Sequence, residues 1–346
     1  MSKTSNKILV IRLSALGDVA MVIPVLYPIC RSYPQKEFTL LTSPMASQLY
    51  VNKPENLTIV AVDTKKEYKG IKGIFSLFNK LKKENYNAVA DLHDVIRSKI
   101  LTLLFKLIGT KVATIDKGRK EKRAITAIKK TIFKQLKTSF ERYSEVFKNL
   151  GLEATQKFET LTCETPMPEW LQRTKDDTTK WIGVAPISKH TGKNYPLDKM
   201  KQVVDTLVQT SKYKVFLFGS PTDGEELDKW QDKEGKIISL CNHKLGFKTE
   251  MSLMKQLSVI ISMDSANMHI ATLLGTPVIS IWGATHPYTG FLGWGLTHEN
   301  VIERSDLACR PCSVFGNKPC IYGNYPCLNI APNEVIDKVI KITEGR

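Results

Sequence analysis

The stretch from 258 to 287, SVIISMDSANMHIATLLGTPVISIWGATHP, restricts the fold more than any other part of the chain. Its first run, VIISMD, is apolar and β-branched at successive rather than alternate positions, so both faces of the strand need cover. That is the habit of a parallel sheet with helices on either side. Asp264 ends the run, and Ser265, Ala266 and Asn267 offer a cap and free amides to the helix MHIATLLG. Gly275 and Pro277 stop that helix, and VISIWG returns as a second buried strand. Ligands of open α/β sheets sit beyond the carboxyl ends of the strands, where a helix N-terminus favours an anion. The turn at 264–268 is therefore the expected binding site of a phosphorylated ligand.

The same alternation runs through the chain. KILVIRL, EFTLLTS, LTIVAVD, AVADLH and KVATID read as strands, separated by helical stretches at 18–33, 70–83 and 95–108. The pattern fades between 152 and 180, where Pro166, Pro168 and a polar run interrupt it. WIGVAP, KVFLFGS, KIISL, VIISMD and PVISIWG then resume it. This predicts an α/β protein of two facing Rossmann-like domains with parallel sheets and an interdomain cleft. The boundaries are 1–165 for an N-terminal domain, 166–180 for a linker and 181–346 for a C-terminal domain. A final helix at 333–343 is expected to pack back on the N-terminal domain. A length of 346 residues supports two cores, and 42% hydrophobic with 24% charged residues excludes a disordered or fibrous chain.

The first apolar run contains Arg12 and Asp18 and breaks at Pro24, so it reads as neither membrane span nor signal peptide, and the expected compartment is the cytoplasm. A net charge of +16 calls for an anionic partner: nucleic acid, a membrane face or a phosphorylated substrate. Much of it lies in two stretches. Residues 64–83 hold seven lysines against one glutamate, and residues 117–137 nine basic residues against one acidic. Apolar residues interleave with both, which predicts amphipathic helices with either a solvated charged face or an anionic surface to bind. Seven cysteines fit reduced thiols in a cytosolic protein. Four of them, Cys309, Cys312, Cys320 and Cys327, have a C-x2-C-x7-C-x6-C spacing compatible with a structural zinc site, with four free thiols or two disulfides as the other readings.

Three places have the residue types of a reactive site. Asp18 follows Ser14 and Gly17 at the end of the first strand; Gly17 permits close backbone approach, and a strand-end carboxylate suits a general base as well as a helix cap. Lys193 lies in the loop after WIGVAP, just before a helix opened by Pro196, well placed for a diphosphate, with Ser188 and Thr191 as further hydroxyl donors. Asp223, Glu225 and Glu226 follow the next strand, where carboxylates take ribose hydroxyls in nucleotide folds.

Asp264-Ser265-Ala266-Asn267-Met268-His269, Gly275-Thr276-Pro277 and Gly283-Ala284-Thr285-His286-Pro287 resemble the D-S-G-P-M-H, G-x-P and G-x-T-x-P motifs of glycosyltransferase family 9, the bacterial lipopolysaccharide heptosyltransferases. Ala266 and Asn267 stand where that family usually has glycine and proline. Ser14 to Asp18 match its S-x-x-G-D, and Lys193 to Pro196 match K-x-W-P with Tyr195 for the tryptophan. The resemblance implies a GT-B fold and an inverting transfer from ADP-heptose to the lipopolysaccharide or lipooligosaccharide inner core, peripheral at the inner face of the inner membrane. It makes Asp18 the base and gives Lys193 the diphosphate. Ser188, Thr191, Glu225, Asp264, Ser265, Ala266, Asn267, Met268 and His269 would meet the donor, and Ser14, Gly17 and Arg97 the acceptor. With no D-x-D pair in the sequence, transfer is expected to need no metal cofactor. A nucleotide-sugar 2-epimerase and a non-catalytic basic nucleic-acid-binding protein are the alternatives.

Overall fold

The structure is a computed structural model and describes residues 6–173 and 177–345. Residues 174–176 of the expected linker lie outside the described residues. The chain divides into two compact units, one of Met1–Arg119 with Lys137–Thr160, the other of Lys120–Leu136 with Leu161–Arg346.

In the first unit a parallel sheet is built from β1 (Lys7–Ile11), β2 (Glu37–Thr42), β3 (Leu57–Ala61), β4 (Ala88–Asp91) and β5 (Lys111–Thr114), in the order β3-β2-β1-β4-β5. β1 is central and pairs with β2 and β4 in parallel, so its carboxyl end opens between two neighbours. Helices α1 (Leu16–Ala20), α2 (Ile23–Ser32), α3 (Pro44–Ser47), α4 (Gly70–Leu81) and α5 (Ile96–Leu107) connect the strands. The apolar stripe of α4 (Ile74, Leu77, Phe78, Leu81) meets Leu101 and Phe105 of α5 above Leu9, Ile11 and Val89, which explains the doubly buried strands of the sequence.

α6 (Arg119–Ile125) leads into the second unit, and α7 (Ser139–Asn149) returns to the first. The expected helix over 117–137 is corrected here, for it ends at Ile125. Tertiary bonds override the apolar spacing beyond that point: Lys130 Nζ donates to Ala308 O at 2.6 Å, Leu136 N to Tyr288 O at 2.9 Å, and the Phe133 ring packs against His286 and Tyr288.

The second unit repeats the plan with β6 (Lys180–Ala185), β7 (Tyr213–Leu217), β8 (Ile237–Ser239), β9 (Val259–Met263), β10 (Val278–Trp282) and β11 (Val301–Glu303), ordered β11-β10-β9-β6-β7-β8 and parallel throughout. The strand order reverses between β6 and β9, the crevice where open α/β sheets place their ligands. Its helices are α8 (Leu197–Gln209), α9 (Gly224–Leu227), α10 (Phe247–Gln256), α11 (Ala266–Leu273) and α12 (Pro332–Glu344). The last of these, expected on the N-terminal domain, buries Val335, Ile336 and Val339 in the core of the second unit beside α8.

Candidate active site

Asp18 sits in the first turn of α1, at the carboxyl end of β1. Its Oδ2 lies 2.5 Å from Arg12 Nη2 and accepts from Ala15 N at 3.3 Å. Arg12 is buried and also donates to Leu92 O at 2.6 Å, so its guanidinium is fixed from two sides. The adjoining end of β4 brings in His93, whose Nδ1 accepts from Leu13 N and whose Nε2 lies 3.4 Å from Ser14 Oγ. Burial first, then the charges of Arg12 and Lys117, push His93 down to about 3, so the imidazole is neutral at physiological pH. Asp94 binds Arg119 at 2.5 Å and Lys99 at 3.3 Å, and Lys117 donates to its carbonyl at 3.2 Å. Burial and the neighbouring Arg12 and Arg119 lower the Lys117 pKa. The result is a carboxylate among cations, an environment for a hydroxyl carried on an anionic molecule.

Of the residues expected here, Ser14, Gly17 and Asp18 lie together, whereas Arg97 sits in the first turn of α5 and donates to Thr64 Oγ1 at 3.1 Å. Arg12, His93, Asp94 and Lys117 were not singled out from the sequence. An arginine inside an otherwise apolar strand was the available signal, because a buried guanidinium requires a carboxylate.

In the second unit, Lys193 closes the 3-10 turn Thr191–Lys193 that follows β6. Its Nζ donates to Asp264 O at 3.0 Å and forms an ion pair with Asp264 Oδ2 at 2.8 Å, without hydrogen-bond alignment to that oxygen. The ammonium is thereby held at the start of α11. Ser265 occupies the N-cap position, yet its hydroxyl lies 3.1 Å from Ser262 Oγ and does not cap the helix. The first-turn amides at Asn267 and Met268 keep their donors free of that side chain. Met268 and His269 are buried, and the side chains of Ser265, Ala266 and Asn267 are half-buried.

The loop that carries Lys193 is tied from within and from outside. Ser188 was expected to offer its hydroxyl to the ligand; instead both its N–H and its Oγ–H go to Asn194 Oδ1, at 2.8 and 2.7 Å. Thr191 is exposed, and Tyr195 is buried with its hydroxyl on Ile330 O at 3.0 Å. Gly192 N donates to Gly316 O at 3.1 Å, and Gly192 O accepts from Ala284 N at 2.7 Å. A Cβ on Gly192 would lie 2.7 Å from Gly316 O and 3.0 Å from Ala284 Cβ. Ala284 O in turn accepts from Cys312 N and Ser313 N. Arg310 locks the cysteine segment down through Gly283 O, Trp282 O, Thr285 O and Glu303, and the Glu303 carboxyl is held at about 2 by His286 and Arg310 against its burial.

The four cysteines thus belong to a strap over the lysine loop. All of them are free thiols, and no group of three or more His, Cys, Asp or Glu among the described residues is arranged to hold a metal ion. The tetrathiolate zinc site stays an expectation from the spacing of the four cysteines. At the end of β7, Asp223 accepts from Ser220 N and Oγ and Glu226 pairs with Lys229, which leaves Glu225 exposed and available.

These half-sites have relatives. The model of glycosyltransferase family 9 (heptosyltransferase) matches residues 74–325. The lipopolysaccharide core heptosyltransferase OpsX of Haemophilus influenzae is 24% identical, over 83% of this chain and 81% of its own. The crystal structure of a family 9 glycosyl transferase from Veillonella parvula superposes with a TM-score of 0.76 at 20% identity, covering 99% and 98% of the two chains. The ADP-heptose lps heptosyltransferase II of E. coli gives 0.66 at 19%, covering 98% and 99%, so the fold is that of these GT-B enzymes. The chain belongs to glycosyltransferase family 9, the heptosyltransferase family, and is a glycosyltransferase.

Proposed function

We propose that this enzyme moves heptose from an ADP-heptose onto the inner core of lipopolysaccharide or lipooligosaccharide by a single inverting displacement. Asp18 takes the proton from an acceptor hydroxyl as that oxygen attacks the anomeric carbon. The bond from that carbon to the diphosphate oxygen breaks on the opposite face, and ADP leaves with the electron pair. Arg12 orients the Asp18 carboxylate, and the cations around Asp94 suit a phosphorylated acceptor. Lys193 and the amides of the α11 turn stabilise the departing diphosphate, Asp264 and Glu225 meet donor hydroxyls, and fixed cations take the place of a metal ion.

The observation that carries this reading is the ammonium of Lys193 pinned to the first turn of α11 by both the carbonyl and the carboxylate of Asp264. A cation and a helix N-terminus aimed at one point make an anion site with little freedom to lose on binding. The likeness to the E. coli ADP-heptose lps heptosyltransferase II makes ADP-heptose the donor to try. The proposed location is peripheral, at the cytoplasmic face of the inner membrane, because the proposed acceptor is anchored there by its lipid; no described helix is long and apolar enough to cross a membrane.

The test is a donor screen by thermal unfolding. ADP and ADP-heptose should raise the melting temperature, and UDP- and GDP-sugars should not. Protection by a UDP- or GDP-sugar alone would overturn the donor assignment, and sugar epimerised in the absence of acceptor would favour an epimerase.

A further inference from the structure

Helix α5 is apolar on two opposite faces. Ser98, Leu101, Thr102 and Phe105 are buried against the first unit. On the far side Ile96, Leu103 and Leu107 follow one another at i, i+7 and i+11, with exposures of 78%, 56% and 74%, and Ile108 extends the row. The neighbouring α4 adds Ile71 and Phe75, both exposed. Isolated exposed leucines need no explanation, but a contiguous row on one helix face marks a surface that meets a partner.

The charge around the row says which partner. From 95 to 115 the chain has Arg97, Lys99, Lys106 and Lys111 and no acidic residue, and residues 64–83 hold seven lysines against one glutamate. A second copy seated on this face would bring cations against cations. Nucleic acid would satisfy the lysines and leave the isoleucines and leucines wet. An anionic bilayer surface satisfies both, with apolar side chains below the headgroups and lysines among the phosphates. A 12-residue helix is about 18 Å long, which suits lying in the interface and not crossing it.

We propose that the solvent face of α5, with Ile71 and Phe75 of α4, docks the protein on an anionic phospholipid surface. The proposal rests on the peripheral location given above and names the surface responsible for it. The segment 120–136 does not supply that surface, because Phe133 is packed on His286 and Tyr288 and Lys130 is bonded to Ala308. α5 begins two residues after Asp94, so its first turn lies at the same end of the sheet as Asp18, the end a lipid-anchored saccharide has to reach.

Full-length protein is sedimented with vesicles of phosphatidylethanolamine and phosphatidylglycerol, and with phosphatidylcholine vesicles as the neutral arm. Binding is expected with the anionic vesicles only, weakened severalfold at high salt. The Leu103→Ser/Leu107→Ser double variant should bind about tenfold or more weakly. Lys106→Glu should lose several-fold, and neither variant should change transfer to a delipidated, water-soluble acceptor or move the melting temperature by more than a few degrees. Wild-type vesicle binding by the double variant would overturn the proposal. So would a wild-type dimer that the double variant converts to a monomer without any vesicle binding, or binding to single-stranded nucleic acid in place of vesicles. Failure of the transferase reading has its own signature, absent transfer with vesicle binding intact.

Discussion

Asp18 shares one carboxylate oxygen with a buried guanidinium 2.5 Å away, which fixes its direction. A base held this way takes a proton only as the acceptor oxygen gives it up in the transition state, so its removal should fall on turnover and spare binding. Asp18→Asn should lower kcat by about 10³ or more, with ADP affinity by calorimetry within about twofold of wild type; substantial residual turnover would remove Asp18 from the chemistry. Lys193 has the opposite profile. Lys193→Ala should weaken ADP about ten- to a hundredfold, since a charge-assisted contact to phosphate contributes roughly 1.5–3 kcal/mol, and unchanged affinity would count against a diphosphate role. Both residues were legible in the sequence because each follows a doubly buried strand. Arg12 was read only as a charge that disqualifies a membrane span; its place in an apolar run signals a carboxylate partner, but not that the partner lies six residues on or that its second contact is Leu92. The bond from the Ser188 hydroxyl to Asn194 Oδ1 was likewise not legible in a linear pattern.

At the scale of elements, α10 contains a titration that stability measurements can reach. Burial raises the carboxyl of Glu250 to about 7 from its usual 4.5. The folded state therefore holds a proton that the unfolded state has released between those two values, so stability falls as pH rises through 4.5 to 7. Glu250→Gln should then raise the melting temperature by about 3 °C at pH 8 and leave it unchanged near pH 4, as scanned by calorimetry; an equal shift at both pH values would mean the charge is not the cause. The long strands and α8, α11 and α12 could be read from periodicity alone. β11 escaped notice because three residues, Val301–Glu303, have no period to detect, and they join the sheet through pairing to β10. The stretch after Ile125 misled in the other direction: Ile128, Ile132, Phe133 and Leu136 are spaced as on a helix, and bonds to Tyr288 and Ala308 settle them otherwise.

For the molecule as a whole, two parallel sheets were legible because runs apolar on both faces fit little else, and their strand orders follow from right-handed crossovers. The cut between units was less so, since 120–136 leaves one sheet's neighbourhood for the other through contacts far apart in sequence. If fixed cations and a helix terminus do the work of a divalent ion, transfer should proceed within about twofold of its normal rate in excess EDTA, measured by ADP release; a strict need for added magnesium would reverse that conclusion. The contact of Gly192 with Ala284 and Gly316 has a consequence for how such an enzyme changes over generations. A Cβ on Gly192 meets Gly316 O and Ala284, and one on Gly316 meets Lys193 Cγ at 2.7 Å. Three segments spread from 192 to 316 therefore form a single mutational unit, in which a substitution harmful alone is tolerated only beside a matching change in another segment. Donor preference would then shift in coordinated jumps, and libraries that vary one loop at a time would miss the variants that matter.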